Sequence, residues 1–133
     1  MSSQSQKGFQ SMANVKESLE KIMQTDGAIG ACVVDSSSGM MLGAAGGSAG
    51  FNVEVAAAGN TEVVRAKHKT MRSLNIDDSI EDILITLGKQ YHLIRLCSKN
   101  DALFMYVVLD KGRSNLAMAR LQLSEIEKNM QIA

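Results

Sequence analysis

The sequence predicts a three-layer α+β sandwich in which helices cover a five-stranded antiparallel sheet, with the element order α-β-β-α-β-β-β-α. Three segments repeat apolar residues at spacings of three and four, as amphipathic helices do. Five shorter segments, rich in aliphatic residues, lie between turn-forming residues, as strands do. The length of 133 residues and the 45% content of hydrophobic residues are sufficient for one domain with a buried core.

The first half of the chain begins with a predicted helix and a β-hairpin. Residues 11–25 have one apolar and one charged face, and an Asp-Gly pair ends this helix. Ala28 to Asp35 is a predicted strand, residues 36–39 form a turn, and Met40 to Gly43 begin the return strand. We expect the glycine-rich residues 43–50 to be a flexible connector.

The second predicted helix, residues 52–74, carries two adjacent apolar stripes. A helix that covers only its own sheet needs one stripe, so the second stripe indicates a further contact, and a second copy of the chain is the simplest candidate. The alternative is a helix buried more deeply in a monomer. The first stripe comprises Ala56, Gly59, Val63, Ala66 and Thr70, and the second comprises Val53, Ala57, Val64 and Met71.

Three strands and a final helix follow. Ala102 to Leu109 is apolar on both faces, which predicts a strand in the middle of a sheet that is covered on both sides. Ile80 to Leu87 is expected at the edge of the sheet, where pairing with another strand would remove a risk of aggregation. Tyr91 to Cys97 is the strand between them, and the last helix is predicted from Ser114, as its N-cap, to Met130.

The sequence contains no convincing catalytic constellation. The glycine-rich residues 43–50 precede a helix but lack the Gly-Lys-Ser/Thr ending of a phosphate-binding loop. The acidic residues within 77–82 are interpreted as a solvated turn in preference to a cation site, and His68 and His92 are interpreted as structural. We therefore expect a protein that is not an enzyme and that holds no cofactor and no metal.

The charge and hydropathy of the chain exclude further classes of partner. Lys plus Arg and Asp plus Glu both number 14, so nucleic acid is not an expected partner. No segment is apolar enough to insert in a membrane, and the polar residues 1–10 have no signal-peptide core. We expect a flexible tail over residues 1–10, a single domain over residues 11–133 and a cytoplasmic location. Cys32 and Cys97, each in an apolar strand-like segment, are expected to be small buried hydrophobic residues.

The opening hairpin and the closing elements carry a family resemblance. Gly27 to Asp35, the Ser-Ser-Ser-Gly turn and Met40 to Gly43 resemble the first hairpin of the roadblock family, also called the dynein light chain roadblock type. The end of the chain is similar to that family's closing strands and final helix at Tyr91–Arg95, Phe104–Asp110 and Asn115–Arg120. The resemblance covers roughly residues 11–130.

The resemblance implies a profilin-like, non-enzymatic domain that homo- or heterodimerises through its second helix and third strand. Members of the family are platforms for Ras-like small GTPases, as in bacterial polarity modules, or adaptor subunits of motor and signalling complexes. We predict a homodimeric scaffold that binds or regulates a small GTPase. The alternatives are an adaptor subunit without a GTPase and a small-ligand sensor domain. The residues predicted at the dimer interface are Val53, Ala56, Ala57, Val63, Val64, His68, Met71, Ile83 and Ile85.

Overall fold

The computed structural model describes residues 14–47 and 52–130. The predicted tail over residues 1–10 and the last part of the predicted glycine-rich connector therefore lie outside the described residues. None of the helices in the described ranges has the length and apolar character needed to cross a membrane.

The described residues form three helices and a five-stranded antiparallel sheet, which confirms the predicted α+β class. The first helix, α1, covers residues 14–23 of the described chain. The other elements are β1 (Ala28–Asp35), β2 (Met40–Gly46), α2 (Val53–Ser73), β3 (Asp82–Thr86), β4 (Gln90–Cys97), β5 (Asn100–Asp110) and α3 (Leu116–Asn129).

The strands lie in the order β2-β1-β5-β4-β3, and each neighbouring pair is antiparallel. The order confirms two predictions: the strand that ends near Leu109, β5, is central, and the strand predicted from Ile80, β3, lies at the edge. β2 forms the opposite edge, where a register shift opposite Val33 and Val34 marks a bulge. Such a bulge bends an edge strand and makes it a poor template for a further strand.

Two hydrophobic cores, one on each face of the sheet, define the three layers. α1 and α3 cover one face, and α2 covers the other. Because side chains alternate along a strand, successive residues of β5 enter opposite cores. The α1/α3 core includes Val15, Leu19, Ile22, Val33, Leu93, Met105, Leu109 and Leu123, whereas the α2 core includes Cys32, Val34, Ala57, Val64, Ile94, Leu96, Phe104 and Val108.

Two local predictions need correction. Residues 43–46 continue strand β2 and pair with β1, so this part of the expected connector is regular structure. Their small size has a packing reason, since a Cβ on Gly43 would lie 3.0 Å from side-chain carbons of both Val15 and Leu19 of α1. α1 therefore approaches the backbone of this edge strand directly.

The N-cap of the last helix is the second correction. Asn115 caps α3, and its side-chain oxygen accepts a hydrogen bond from the backbone N–H of Met118 at 3.1 Å. The hydroxyl of Ser114, the predicted cap, instead donates to the carbonyl oxygen of Asp110 at 2.6 Å. Both residue types are good caps, and the contact with the end of β5 decides between them.

Two leucines of α3 provide a matched test of this packing. Leu123 is 1% exposed and faces the sheet, whereas Leu121 is 55% exposed on the same helix. We expect Leu123→Ala to lower the free energy of unfolding by about 2–5 kcal/mol through the loss of buried contacts and the remaining cavity. Leu121→Ala makes the same change of helix propensity and should stay within about 0.5 kcal/mol. Urea unfolding followed by circular dichroism measures both, and equal losses would contradict the assigned faces of α3.

Candidate protein-interaction site

The two apolar stripes of α2 face different surroundings. Ala57 and Val64 are 2% and 0% exposed and pack against the sheet of their own chain. Val63, from the other stripe, is 37% exposed, and Ala66 and Thr70 are also exposed. One stripe of α2 thus holds the helix on its sheet, and the other is left open along the flank of the helix.

The open stripe forms one wall of a groove, and strand β3 with the residues before it forms the other. We call this the α2–β3 groove, and it has a volume of about 550 Å³. The groove is mostly apolar, but Lys67 lies at its side. It is lined by Val63, Ala66, Lys67, Thr70, Ile80, Asp82 and Ile83. An open apolar groove beside the edge strand of a sheet is typical of a surface that binds another protein.

The structure divides the predicted interface residues into three groups. Val63 and Ile83 line the α2–β3 groove. Ala57 and Val64 are core residues of α2, so they act on any interface only by holding the helix in place. The remaining five are half-buried: Val53, Ala56, His68, Met71 and Ile85.

Four residues that line the groove are not among the predicted interface residues: Ala66, Lys67, Thr70 and Ile80. Ala66 and Thr70 belong to the first apolar stripe, so the helical periodicity contained the signal that would have included them. Lys67 lies next to the stripe, and its long aliphatic stem suits an apolar wall that reaches solvent. The sequence around Ile80 has no comparable periodicity, because its place in the groove depends on how the chain enters β3.

A polar network lies on the face of the sheet that α2 covers. The hydroxyl of Tyr106 and Nδ1 of His92 are 2.9 Å apart, as are Nε2 of His92 and Oε1 of Gln90. Because the Gln90 oxygen only accepts, Nε2 carries the hydrogen, and Nδ1 of the neutral ring accepts from Tyr106. Burial lowers the pKa of His92 and raises the pKa of Tyr106. Both shifts favour neutral side chains near neutral pH.

The two cysteines are free and buried, as predicted from their apolar surroundings. Burial raises the pKa of Cys32 to about 12 and that of Cys97 to about 12. Because nucleophilic catalysis and metal binding require the thiolate, both side chains stay inert near neutral pH. Within residues 14–47 and 52–130, no group of His, Cys, Asp and Glu side chains could hold a metal ion.

The acidic cluster within residues 77–82 is divided by the start of β3. The carboxylate of Asp82 turns towards α3, where it lies 3.1 Å from Arg120 and 3.7 Å from Arg95. Arg95 also donates to the hydroxyl of Ser124 at 3.1 Å, which links β4 to α3. The preceding residues Asp77, Asp78 and Glu81 remain exposed.

Solved structures with the same architecture identify the fold. MglB from Myxococcus xanthus matches with a TM-score of 0.77 at 13% identity, over 87% of this chain and 84% of MglB. A Roadblock/LC7 domain from Streptomyces avermitilis matches with a TM-score of 0.72 at 9% identity, over 84% of this chain and 90% of that domain. The chain has a roadblock-family fold. A further MglB structure, with a tetrameric arrangement, has a TM-score of 0.74 at 13% identity and covers 90% of this chain and 87% of its own.

No protein-family model matches the sequence, and no curated protein matches it either. The roadblock fold is therefore recognised through the arrangement of its elements, and at this level of identity the likeness concerns the fold alone.

The roadblock sheet should lose stability on mild acidification because of His92. Its folded-state pKa lies below the ordinary value of 6.5, so the unfolded chain binds a proton first as the pH falls. Stability is therefore fully present above pH 6.5 and declines as the pH falls through 6.5 towards the lowered value. His92→Gln, which keeps a hydrogen-bonding side chain, should reduce this decline. Urea midpoints at about pH 7.5 and 5.5 measure it, and identical pH dependence in both proteins would exclude His92 as the responsible group.

Proposed function

We propose that the chain is a non-enzymatic homodimeric scaffold that binds or regulates a Ras-like small GTPase. The observation that carries the proposal is the α2–β3 groove beside the unpaired edge of β3. A second copy that places its own helix and strand there covers both surfaces at once. The contact is then isologous, which is the usual form of a homodimer interface.

Two physical features support a protein partner in the groove over a small ligand. The groove is open and has an apolar lining on which Lys67, Thr70 and Asp82 are the polar residues. The carboxylate of Asp82 is already engaged by Arg120 and Arg95, so it does not contribute a free ligand group. Small-ligand sites are concave and fix their ligands with several convergent polar groups. We therefore place the small-ligand sensor last among the candidate functions.

The GTPase part of the proposal draws on the roadblock resemblance of the hairpin and closing elements, and on the likeness in fold to MglB. The tetrameric arrangement of one MglB structure is a property of that protein, and it motivates a measurement of assembly here. Function follows the site and not the fold, so GTPase binding needs its own experiment.

An adaptor subunit of a larger complex is the second candidate, and one observation favours it. Met118 and Leu121 of α3 are 50% and 55% exposed, on the opposite side of the sheet from the α2–β3 groove. Exposed apolar residues one helical turn apart can form part of a second contact surface. An adaptor uses two such surfaces to join different proteins.

The dimer interface is tested by Val63→Asp. The substitution places a charge in the apolar groove, where a partner would bury it without compensation, so the dimer should dissociate while the monomer stays folded. Sedimentation velocity gives the mass in solution, and circular dichroism reports folding. Val55→Asp is the matched control, because Val55 is 67% exposed on the same helix and does not line the groove. An unchanged mass for Val63→Asp would contradict the assignment of the groove to the dimer.

GTPase binding is tested by affinity capture from the native lysate, in parallel with GDP and with a non-hydrolysable GTP analogue. We expect a small GTPase to be retained with the analogue, and the purified pair should show altered GTP turnover. Retention of other proteins, with no GTPase in either nucleotide state, would replace the GTPase scaffold with the adaptor subunit.

A further inference from the structure

We propose that a cleft between α1 and α3 binds a basic amino acid, a small molecule that carries two cationic groups and one carboxylate. We call it the α1–α3 cleft, and its volume is about 230 Å³. It lies on the face of the sheet opposite α2 and shares no lining residue with the α2–β3 groove. The inference therefore adds a ligand site to the chain and does not depend on the proposed function.

Each of the two helices contributes one stripe of side chains to the α1–α3 cleft. The stripe on α1 lies next to the apolar residues that pack on the sheet, and its members recur at spacings of three and four: Asn14, Glu17, Ser18 and Lys21. On α3, Glu125 and Asn129 lie one turn apart, with Ile126 beside them. Residues that are far apart in the sequence thus converge on one volume.

The lining of the α1–α3 cleft is polar, which keeps it open. Packed elements in proteins leave few voids larger than a water molecule, because apolar side chains interdigitate between them. Here Ser18 is 5% exposed and Ile126 is half-buried, so these two residues form the floor of the cleft. Glu17, Lys21 and Glu125 are exposed and surround its opening. Charged groups therefore stand where apolar side chains would close the seam.

The charged side chains around the cleft do not neutralise one another. Glu17 and Lys21 have the spacing and the order that favour an ion pair on a helix. The ion pairs formed within residues 14–47 and 52–130 nevertheless include neither of them, nor Glu125. Two carboxylates and one ammonium group are therefore available to a ligand at the same opening.

The charges of the lining determine the class of ligand. Two carboxylates and one ammonium group are complementary to a molecule with two cationic groups and one anionic group. Ser18 and Asn129 add hydrogen-bonding groups that can orient such a molecule. Ile126 supplies an apolar surface, which suits an aliphatic chain between charged ends. A basic amino acid such as free lysine combines all of these features.

The size of the cleft agrees with a ligand of this class. An engineered protein cavity of about 150 Å³ holds benzene, and the pockets that hold drug-sized ligands have volumes of about 300–1,000 Å³. The volume of about 230 Å³ lies between these values. It suits a free amino acid and is small for a nucleotide or for a folded segment of another protein.

Titration of the full-length chain with free lysine tests the inference. At about 0.15 M ionic strength, which screens exposed charges, we expect saturable changes in amide chemical shifts that are confined to α1 and α3. Cadaverine lacks the carboxylate, norleucine lacks the second cation and glutamate has the opposite balance of charge. Each should bind at least about fivefold more weakly than lysine. Shifts that do not saturate, or that are equal for all of these compounds, would overturn the inference.

Single substitutions in the lining test whether the charged groups hold the ligand. Glu17→Gln and Glu125→Gln each remove one carboxylate, and Lys21→Gln removes the ammonium group, so each should weaken lysine binding by about fivefold. Glu20→Gln is the matched control, because it removes an exposed carboxylate of α1 that does not line the cleft. All four positions are exposed, so circular dichroism and the urea midpoint should match those of the wild type.

A charge reversal separates a fitted site from general electrostatic attraction. Glu125→Lys changes the charged lining to two ammonium groups and one carboxylate, which is complementary to an acidic amino acid. This variant should lose lysine binding and should bind glutamate about fivefold more tightly than the wild type does. Glu20→Lys makes the same change of net charge outside the cleft, so it should leave both affinities at their wild-type values.

The outcomes separate this inference from the proposed function. A chain that forms the dimer and retains a GTPase, but whose Glu125→Lys variant keeps the wild-type preference for lysine, overturns the inference and leaves the scaffold standing. Equal weakening by Glu20→Gln and Glu125→Gln also overturns it, because charge would then act without the cleft. Saturable lysine binding that is lost in the three lining variants and redirected to glutamate by Glu125→Lys supports the inference, whether or not the chain forms a dimer.

Discussion

The burial of β5 on both faces is the constraint on which the rest of the structure depends. All residues from Leu103 to Leu109 are buried, and they alternate between the core under α1 and α3 and the core under α2. A fully buried aliphatic or aromatic side chain contributes about 1.5–3 kcal/mol relative to an exposed one. Leaving either face of this strand uncovered would therefore forfeit a large part of the stability of the domain. Each face of this one strand therefore needs a helical layer to cover it.

The unequal coverage of the two faces then produces the candidate site. A helix with its side chains is about 10–12 Å wide, whereas five strands at about 4.8 Å spacing extend over roughly 20 Å. Two helices suffice for one face, but α2 alone covers the other, and it contacts the β1 and β2 side of the sheet. The surface near β3 is left with half-buried Ile83 and Ile85 and with the groove along α2. An apolar surface beside the open edge of a sheet is most stable when another polypeptide covers both features.

Patterns that depend on one element were predictable from the sequence, and those that depend on contacts between elements were not. The two stripes of α2 are a helical periodicity, and the structure assigns one to the sheet and one to the groove. Val64 packs in the core under α2, which periodicity could not show, because it gives the angle between the stripes but not which of them faces the sheet. Ser114 and Asn115 have similar capping preferences, and only the tertiary contact of Ser114 with Asp110 assigns the cap to Asn115. The acidic residues within 77–82 look alike in sequence, yet Asp82 turns towards α3 and forms ion pairs with Arg95 and Arg120, whereas Asp77 and Asp78 remain exposed.

The positions of the charged residues in the fold matter in addition to their total numbers. With 14 basic and 14 acidic residues, two copies of the chain experience little net repulsion at long range. The orientation of any bound protein is then decided at short range, by the way in which charges are distributed around the contact. Around β3 the signs are separated, because exposed Asp77, Asp78 and Glu81 precede the strand and exposed Lys89 follows it, so a chain without net charge still presents local charge at the edge of its sheet.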